Sequence, residues 1–225
     1  MIDFEYHVEW VARKTLGIAV LPDSSVHVRA PFGTERGQIE RRLLARSDWI
    51  KRQMDYFQGF NPRSTPRSYV AGESHLFLGK PYRLKLSEKA DTSVTLQDGW
   101  LMVSTSDPDP MTIKSLLLQW YRSQAKRIFP PLLEREWKRV VPGGGTMPRL
   151  VIKTMGRRWG SLSGGGILTL NLDLIRAPRH CVEYVLCHEL CHLEHRDHCP
   201  EFYARLSRLM PDWEKRKARL ESMLK

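Results

Sequence analysis

Between Pro178 and Pro200 the chain carries neither proline nor glycine, and in the middle of that stretch stands His188-Glu189-Leu190-Cys191-His192. No other segment restricts the fold so strongly. Without either residue the stretch reads as a helix of roughly five turns, and Pro178 suits a first helical position. Successive helical residues turn by about 100°. With Val182 at zero, Leu186, Leu190 and Leu193 fall within about 80° and form one apolar stripe. His188 and His192 fall on the other side, at about 240° and 280°. Two imidazoles one turn apart on one face can both reach an ion at about 2.0–2.1 Å. Glu189 lies between the stripes, at about 340°, where it can meet an ion-activated water without being a ligand.

A catalytic zinc takes three protein ligands and keeps one position open. Five of the eight histidines lie between His180 and His198, and two of them compete for the third place. His195 shares the ligand face, but a continuous helix carries it most of a turn beyond His192. His198 can fold back only if the helix ends first, and Arg196-Asp197-His198-Cys199-Pro200 is polar enough to end it. Glu201 is a third choice. Geometry alone leaves these open.

Composition bounds the rest. The chain has 225 residues, 41% hydrophobic and 27% charged, values of an ordinary globular protein rather than a disordered one. The longest uncharged run, Trp159 to Leu172, is short of the about 20 residues a membrane span needs. The start, Met-Ile-Asp-Phe-Glu-Tyr-His, places acids where an export signal places bases, so a cytoplasmic location is expected. A net charge of +11 favours anionic partners. Cys181, Cys187, Cys191 and Cys199 lack the two-residue gaps of a zinc knuckle, and they read as free thiols lining a buried helix.

Along the chain, residues 1–105 read as a β-rich region with one helix, and residues 106–225 as a second domain. Tyr6 to Arg13, Leu16 to Leu21 and Ser25 to Ala30 are strand-like, and one helix is expected from Thr34 to Phe57. Gly59 to Arg67 reads as a loop. Leu76 to Gly79, Tyr82 to Leu86, Ser93 to Leu96 and Trp100 to Ser104 suggest a small antiparallel sheet. Asp109-Pro110 opens a helix that Pro130-Pro131 should break or kink. A strand begins at Leu150, and another runs from Ile167 to Leu174 with Leu168, Leu170, Leu172 and Leu174 on one face.

Several motifs in order carry a resemblance. They are Arg157-Arg158-Trp159-Gly160-Ser161, Leu168-Thr169-Leu170-Asn171, Ala177-Pro178, Tyr184-Val185, His188-Glu189-Leu190-Cys191-His192-Leu193, Asp197-His198, Phe202 and Pro211-Asp212-Trp213. With them the chain resembles the YgjP-like metallopeptidase family, relatives of the SprT-like proteins within the zincins. Arg29-Ala30-Pro31, Asp48-Trp49-Ile50 and Leu78-Gly79-Lys80-Pro81-Tyr82 extend the resemblance loosely into the first half. Leu162 departs from it, because relatives often have Cys there.

The resemblance implies an α+β fold whose C-terminal part is a zincin-like helical region with a small sheet and the active-site helix. It also implies zinc, or another divalent metal, on His188, His192 and His198, with Glu189 as general acid/base. Tyr184 and Arg158 are candidate contacts to substrate or transition state, with Arg157 beside them. Three activities follow from it: a cytoplasmic peptidase on protein or peptide, a pyrophosphatase of uridine triphosphate on the same site, and a DNA-associated protease of the SprT-like kind. The ion-activated water serves carbonyl and phosphorus alike, so the motif does not choose among them.

Overall fold

In the computed structural model the described residues are 2–20, 25–58, 67–156 and 158–223. The chain divides into two compact units, Met1–Ser64 and Thr65–Lys225. The expected loop 59–67 falls, but for Arg67, outside the described residues, as does Arg157.

The first unit is built on alternation. In β3 (Val26–Pro31), Val26, Val28 and Ala30 point to one side and are fully buried. β3 is the middle strand, parallel to β1 (Tyr6–Val11) and antiparallel to β2 (Gly17–Val20). Ile39, Leu43 and Ile50 join its buried residues in one core. They come from two helices, α1 (Arg36–Leu44) and α2 (Ser47–Gln58), rather than the single one expected. The break falls at Ala45-Arg46, where Arg46 N–H reaches back only to the Leu43 carbonyl. Ser47 and Asp48, residue types favoured at helix starts, then open α2.

In the second unit β4 (Ser74–Phe77), β5 (Lys80–Glu88), β6 (Ser93–Gln97) and β7 (Trp100–Thr105) form a sheet of order β4-β5-β7-β6. It is mixed, not antiparallel. The tight turn at Asp98-Gly99, with φ of 49° and 81°, makes β6 and β7 a hairpin, and β5 pairs in parallel with β7 rather than with β6. Leu84, Leu101 and Val103 share one core with Ile113, Leu117 and Tyr121 of α3 (Pro110–Val140). Fully burying an aliphatic side chain contributes about 1.5–3 kcal/mol, and these contacts tie residues 67–105 to the C-terminal unit. By contacts the chain divides near residue 64, and residues 67–105 go with the C-terminal unit.

The Asp109 carboxylate caps α3 by accepting from the N–H groups of Met111 and Thr112. The helix runs on through Pro130-Pro131. An interior proline costs about 3 kcal/mol or more, and burial of Phe129, Leu132 and Leu133 around the pair offsets it.

A small sheet of order β8-β10-β9 follows: β8 (Arg149–Lys153), β9 (Gly160–Leu162) and β10 (Ile167–Asn171). The strand expected to reach Leu174 stops at Asn171, and Leu172–Arg176 is a 3-10 turn. The Asn171 side chain causes the stop: its Oδ1 accepts from Asp173 N–H, a local bond that competes with the ladder. Three helices complete the unit: α4 (Arg179–Cys191), α5 (Pro200–Leu209) and α6 (Trp213–Met223). Among the described residues no helix is long and apolar enough to cross a membrane.

Candidate metal centre

α4 is held at its entrance by the β4–β5 turn. Leu78 and Gly79 N–H donate to the carbonyls of Ile175 and Arg176 at 2.9 Å each, and a Cβ on Gly79 would stand 2.5 Å from Pro178 Cγ. Pro178 is therefore the cap of α4 rather than its first residue. Val182, Leu186 and Leu190 are fully buried, the apolar stripe expected of them. Leu193 is 47% exposed, because the helix has already ended. α4 stops at Cys191, well short of five turns, and the chain turns through 192–199 before α5 begins at Pro200.

That early stop decides which histidines meet. His188, His192 and His198 each offer a ring nitrogen, and the three atoms lie within 4.8 Å of one another. The Nε2 atoms of His188 and His198 are 2.9 Å apart. His195 stays out of the group, yet it contributes its backbone: its carbonyl lies 2.9 Å from His192 Nδ1. With the proton on Nδ1, His192 donates there and leaves the Nε2 lone pair for an ion. Burial, reinforced by the neighbouring His198 and His192, pushes His188 down to about 3. Burial also lowers His198, so both rings are held neutral, the form that ligates a metal. Glu201 remains outside the cluster.

The donor set fits a divalent ion. The three ring nitrogens lie within 4.8 Å of one another, and two bonds of about 2.0–2.1 Å span at most about 4.2 Å, so a small inward movement of the rings brings all three onto one ion. Two facing Nε2 atoms 2.9 Å apart are also a repulsive pair of lone pairs unless a proton or a cation lies between them. No cysteine joins the cluster; Cys181, Cys187 and Cys191 are buried free thiols, and burial pushes Cys181 up to about 11.

Glu189 is 8% exposed and faces the same cleft, of about 820 Å³, as the three rings. Burial pushes its carboxyl up to about 7, opposed by the backbone N–H of Leu162 and by the charge of Arg158. The close approach of β9 depends on Gly160, where a Cβ would stand 2.9 Å from Glu189 Cγ, Glu189 Oε1 and Val185 Cγ1. Leu162 acts here through its backbone, which is why the departure from Cys at that position leaves the contact intact.

Two residues matter more than their sequence signal suggested. Phe202 of α5 is fully buried, and its ring lies 5.0, 4.7 and 4.8 Å from those of His188, His192 and His198, backing all three. Asn171 Nδ2 donates to the carbonyls of Met155 and Arg158, holding the segment that leads into β9. Tyr184 lines the cleft, with its ring centroid 5.9 Å from that of His188 and stacked on Trp213. Burial raises its phenol well above the ordinary tyrosine value. Arg158 also lines the cleft.

A family model described as YgjP-like, metallopeptidase domain, matches residues 14–223. Among solved structures, the metallopeptidase zymogen abylysin of Pyrococcus abyssi aligns with a TM-score of 0.40 at 20% identity, over 43% of this chain and 95% of that one. No curated protein matches the sequence.

Proposed function

Since the chain belongs to the YgjP-like metallopeptidase family, a family of metal-dependent hydrolases, we propose that it is a zinc-dependent peptidase whose ion is held by His188, His192 and His198. The observation that carries this reading is the convergence of three imidazoles in one cleft with a buried carboxyl pushed up to about 7. Zinc bound there would supply Lewis acidity at the scissile carbonyl and lower the pKa of the attacking water to about 7.

The rest falls to the chain's own groups. Glu189 takes the water proton on a carboxylate oxygen and returns it to the leaving amine. A base with a pKa near the working pH does both, and such a group contributes about 10²–10⁴-fold. The Leu162 N–H orients that carboxylate, and Gly160 leaves room for it. Tyr184, kept protonated by burial, is the candidate donor to the oxygen that gains charge in the transition state. His195 holds the His192 ring through its carbonyl.

The test pairs zinc-loaded wild type with Glu189→Gln, each given unfolded protein and, separately, nucleoside triphosphates. Peptide mapping should reveal cleavage by wild type, reduced about 10²–10⁴-fold in the variant with zinc content unchanged. Pyrophosphate release that depends on Glu189, with no protein cleavage, would replace the peptidase reading by a nucleotide hydrolase.

A further inference from the structure

Four arginines near α4 are neutralised. Arg135 and Arg216 both pair with Glu183, Arg139 pairs with Glu136, and Arg205 pairs with Glu194. The cations at the cleft differ. Arg158, in the segment before β9, and Arg196, in the 192–199 turn, both line it. Lys217 of α6 is close enough to act electrostatically on both His188 and His198. All three are exposed, and among the described residues none is in an ion pair. Among the described residues Glu189 is the one carboxylate lining the cleft, and it is buried. Asp197 acts on His198 and Glu221 on Tyr184, but neither lines it.

Two cleft cations outside any ion pair, beside four arginines that find acids, bias what enters it. On the peptidase reading above, we infer that the cleft selects acidic peptides, with Arg158 and Arg196 meeting carboxylate side chains on the two sides of the scissile bond. Guanidinium suits carboxylate because its planar fork can donate two parallel hydrogen bonds. The selectivity is modest and sensitive to salt, since exposed pairs are weak and screened over about 10 Å at 0.1 M salt.

The experiment measures the Kd of three otherwise identical peptides, carrying Glu, Gln or Lys on both sides of one candidate bond. The protein is zinc-loaded Glu189→Gln, and the same protein with Arg196→Glu added. The expected order is Glu tighter than Gln tighter than Lys, about two- to fivefold per step, narrowing at high salt and collapsing in the Arg196→Glu protein, where one side still attracts the peptide carboxylate and the other repels it. That collapse separates the arginine from the ion, whose charge the substitution leaves unchanged. Equal affinity for the Glu and Gln peptides, or an order untouched by Arg196→Glu, overturns the inference. Inorganic triphosphate displacing the Glu peptide at far lower concentration than the peptide's own Kd also overturns it, by assigning the cations to phosphate. Wild-type cleavage of the same peptides is scored separately. Charge-ordered binding without cleavage sinks the peptidase reading and leaves the charge selectivity standing.

Discussion

Of the histidines held neutral in the C-terminal unit, His75 and His188 make the sharpest contrast, because only the second faces a site. His75, in β4, is 1% exposed, and burial together with Arg67 pushes it down to about 4. His188 is pushed to about 3 by burial and by two other imidazoles. The difference lies in what the ring nitrogens face. Arg67 approaches His75 Nδ1 at 3.4 Å, and Glu73 lies 3.5 Å from its Nε2, so its surroundings are already a balanced set of charges. His188 Nε2 faces another ring nitrogen. A depressed imidazole is therefore no mark of a metal site by itself. The mark is a ring nitrogen facing other ring nitrogens.

Removing each ring gives the largest contrast. His188→Ala should lose bound zinc, measured as metal per chain after dialysis, and zinc should no longer raise its melting temperature. His75→Ala should keep one zinc and its zinc-dependent stabilisation, about 4 kcal/mol when free ion exceeds Kd a thousandfold, while losing about 1–3 kcal/mol of intrinsic stability. One tightly held zinc in His188→Ala would place the ion elsewhere.

Next in size is Gly160→Ala. The added methyl presses on Glu189 Cγ and Oε1 without touching a histidine, so kcat should fall roughly ten- to hundredfold with zinc affinity nearly unchanged. Equal loss of zinc and activity would mean that the β9 contact supports the metal helix rather than the carboxyl.

Such contacts mark what the sequence could and could not reveal. The helix face carrying His188 and His192 followed from spacing, because residues four apart must share a side. Where the helix ends did not follow, since that depends on His192 finding the His195 carbonyl, a contact made only once the turn has formed. The end of β10 was hidden for a similar reason: the leucine alternation continues to Leu174, but the Asn171 side chain takes over the backbone at that point. The division near residue 64 is not legible in the pattern because strands and helices can share a core, as Leu101 and Leu117 do. Pattern alone reads the change from strand to helix as a border.

The His75 side of the comparison yields a pH effect. Its folded value of about 4 lies below the ordinary 6.5, so the neutral ring's contribution is complete above about 6.5. Below that the unfolded chain takes up a proton that the folded one refuses, and stability falls until the pH has passed about 4. Arg67, Glu73 and Arg176 all act on the ring. Thermal unfolding of metal-free wild type and His75→Phe should therefore converge between pH 7 and pH 4, with wild type the steeper. Parallel curves would show that His75 does not titrate in this way.

The smallest expected effect tests the geometry most closely. His195 serves through its carbonyl, which accepts from His192 Nδ1, and any residue provides that carbonyl. His195→Ala should therefore leave zinc affinity within about twofold, the scale of a surface substitution, whereas His198→Ala should lose the ion. The pair isolates backbone from ring at one turn of the chain. Competition against a chromophoric chelator reads both affinities directly. Zinc lost in His195→Ala and kept in His198→Ala would give His195 the third place and require the 192–199 turn to rearrange on loading. The His192–His195 bond would then be a feature of the metal-free chain alone, and the contrast with His75 would rest on two converging rings instead of three.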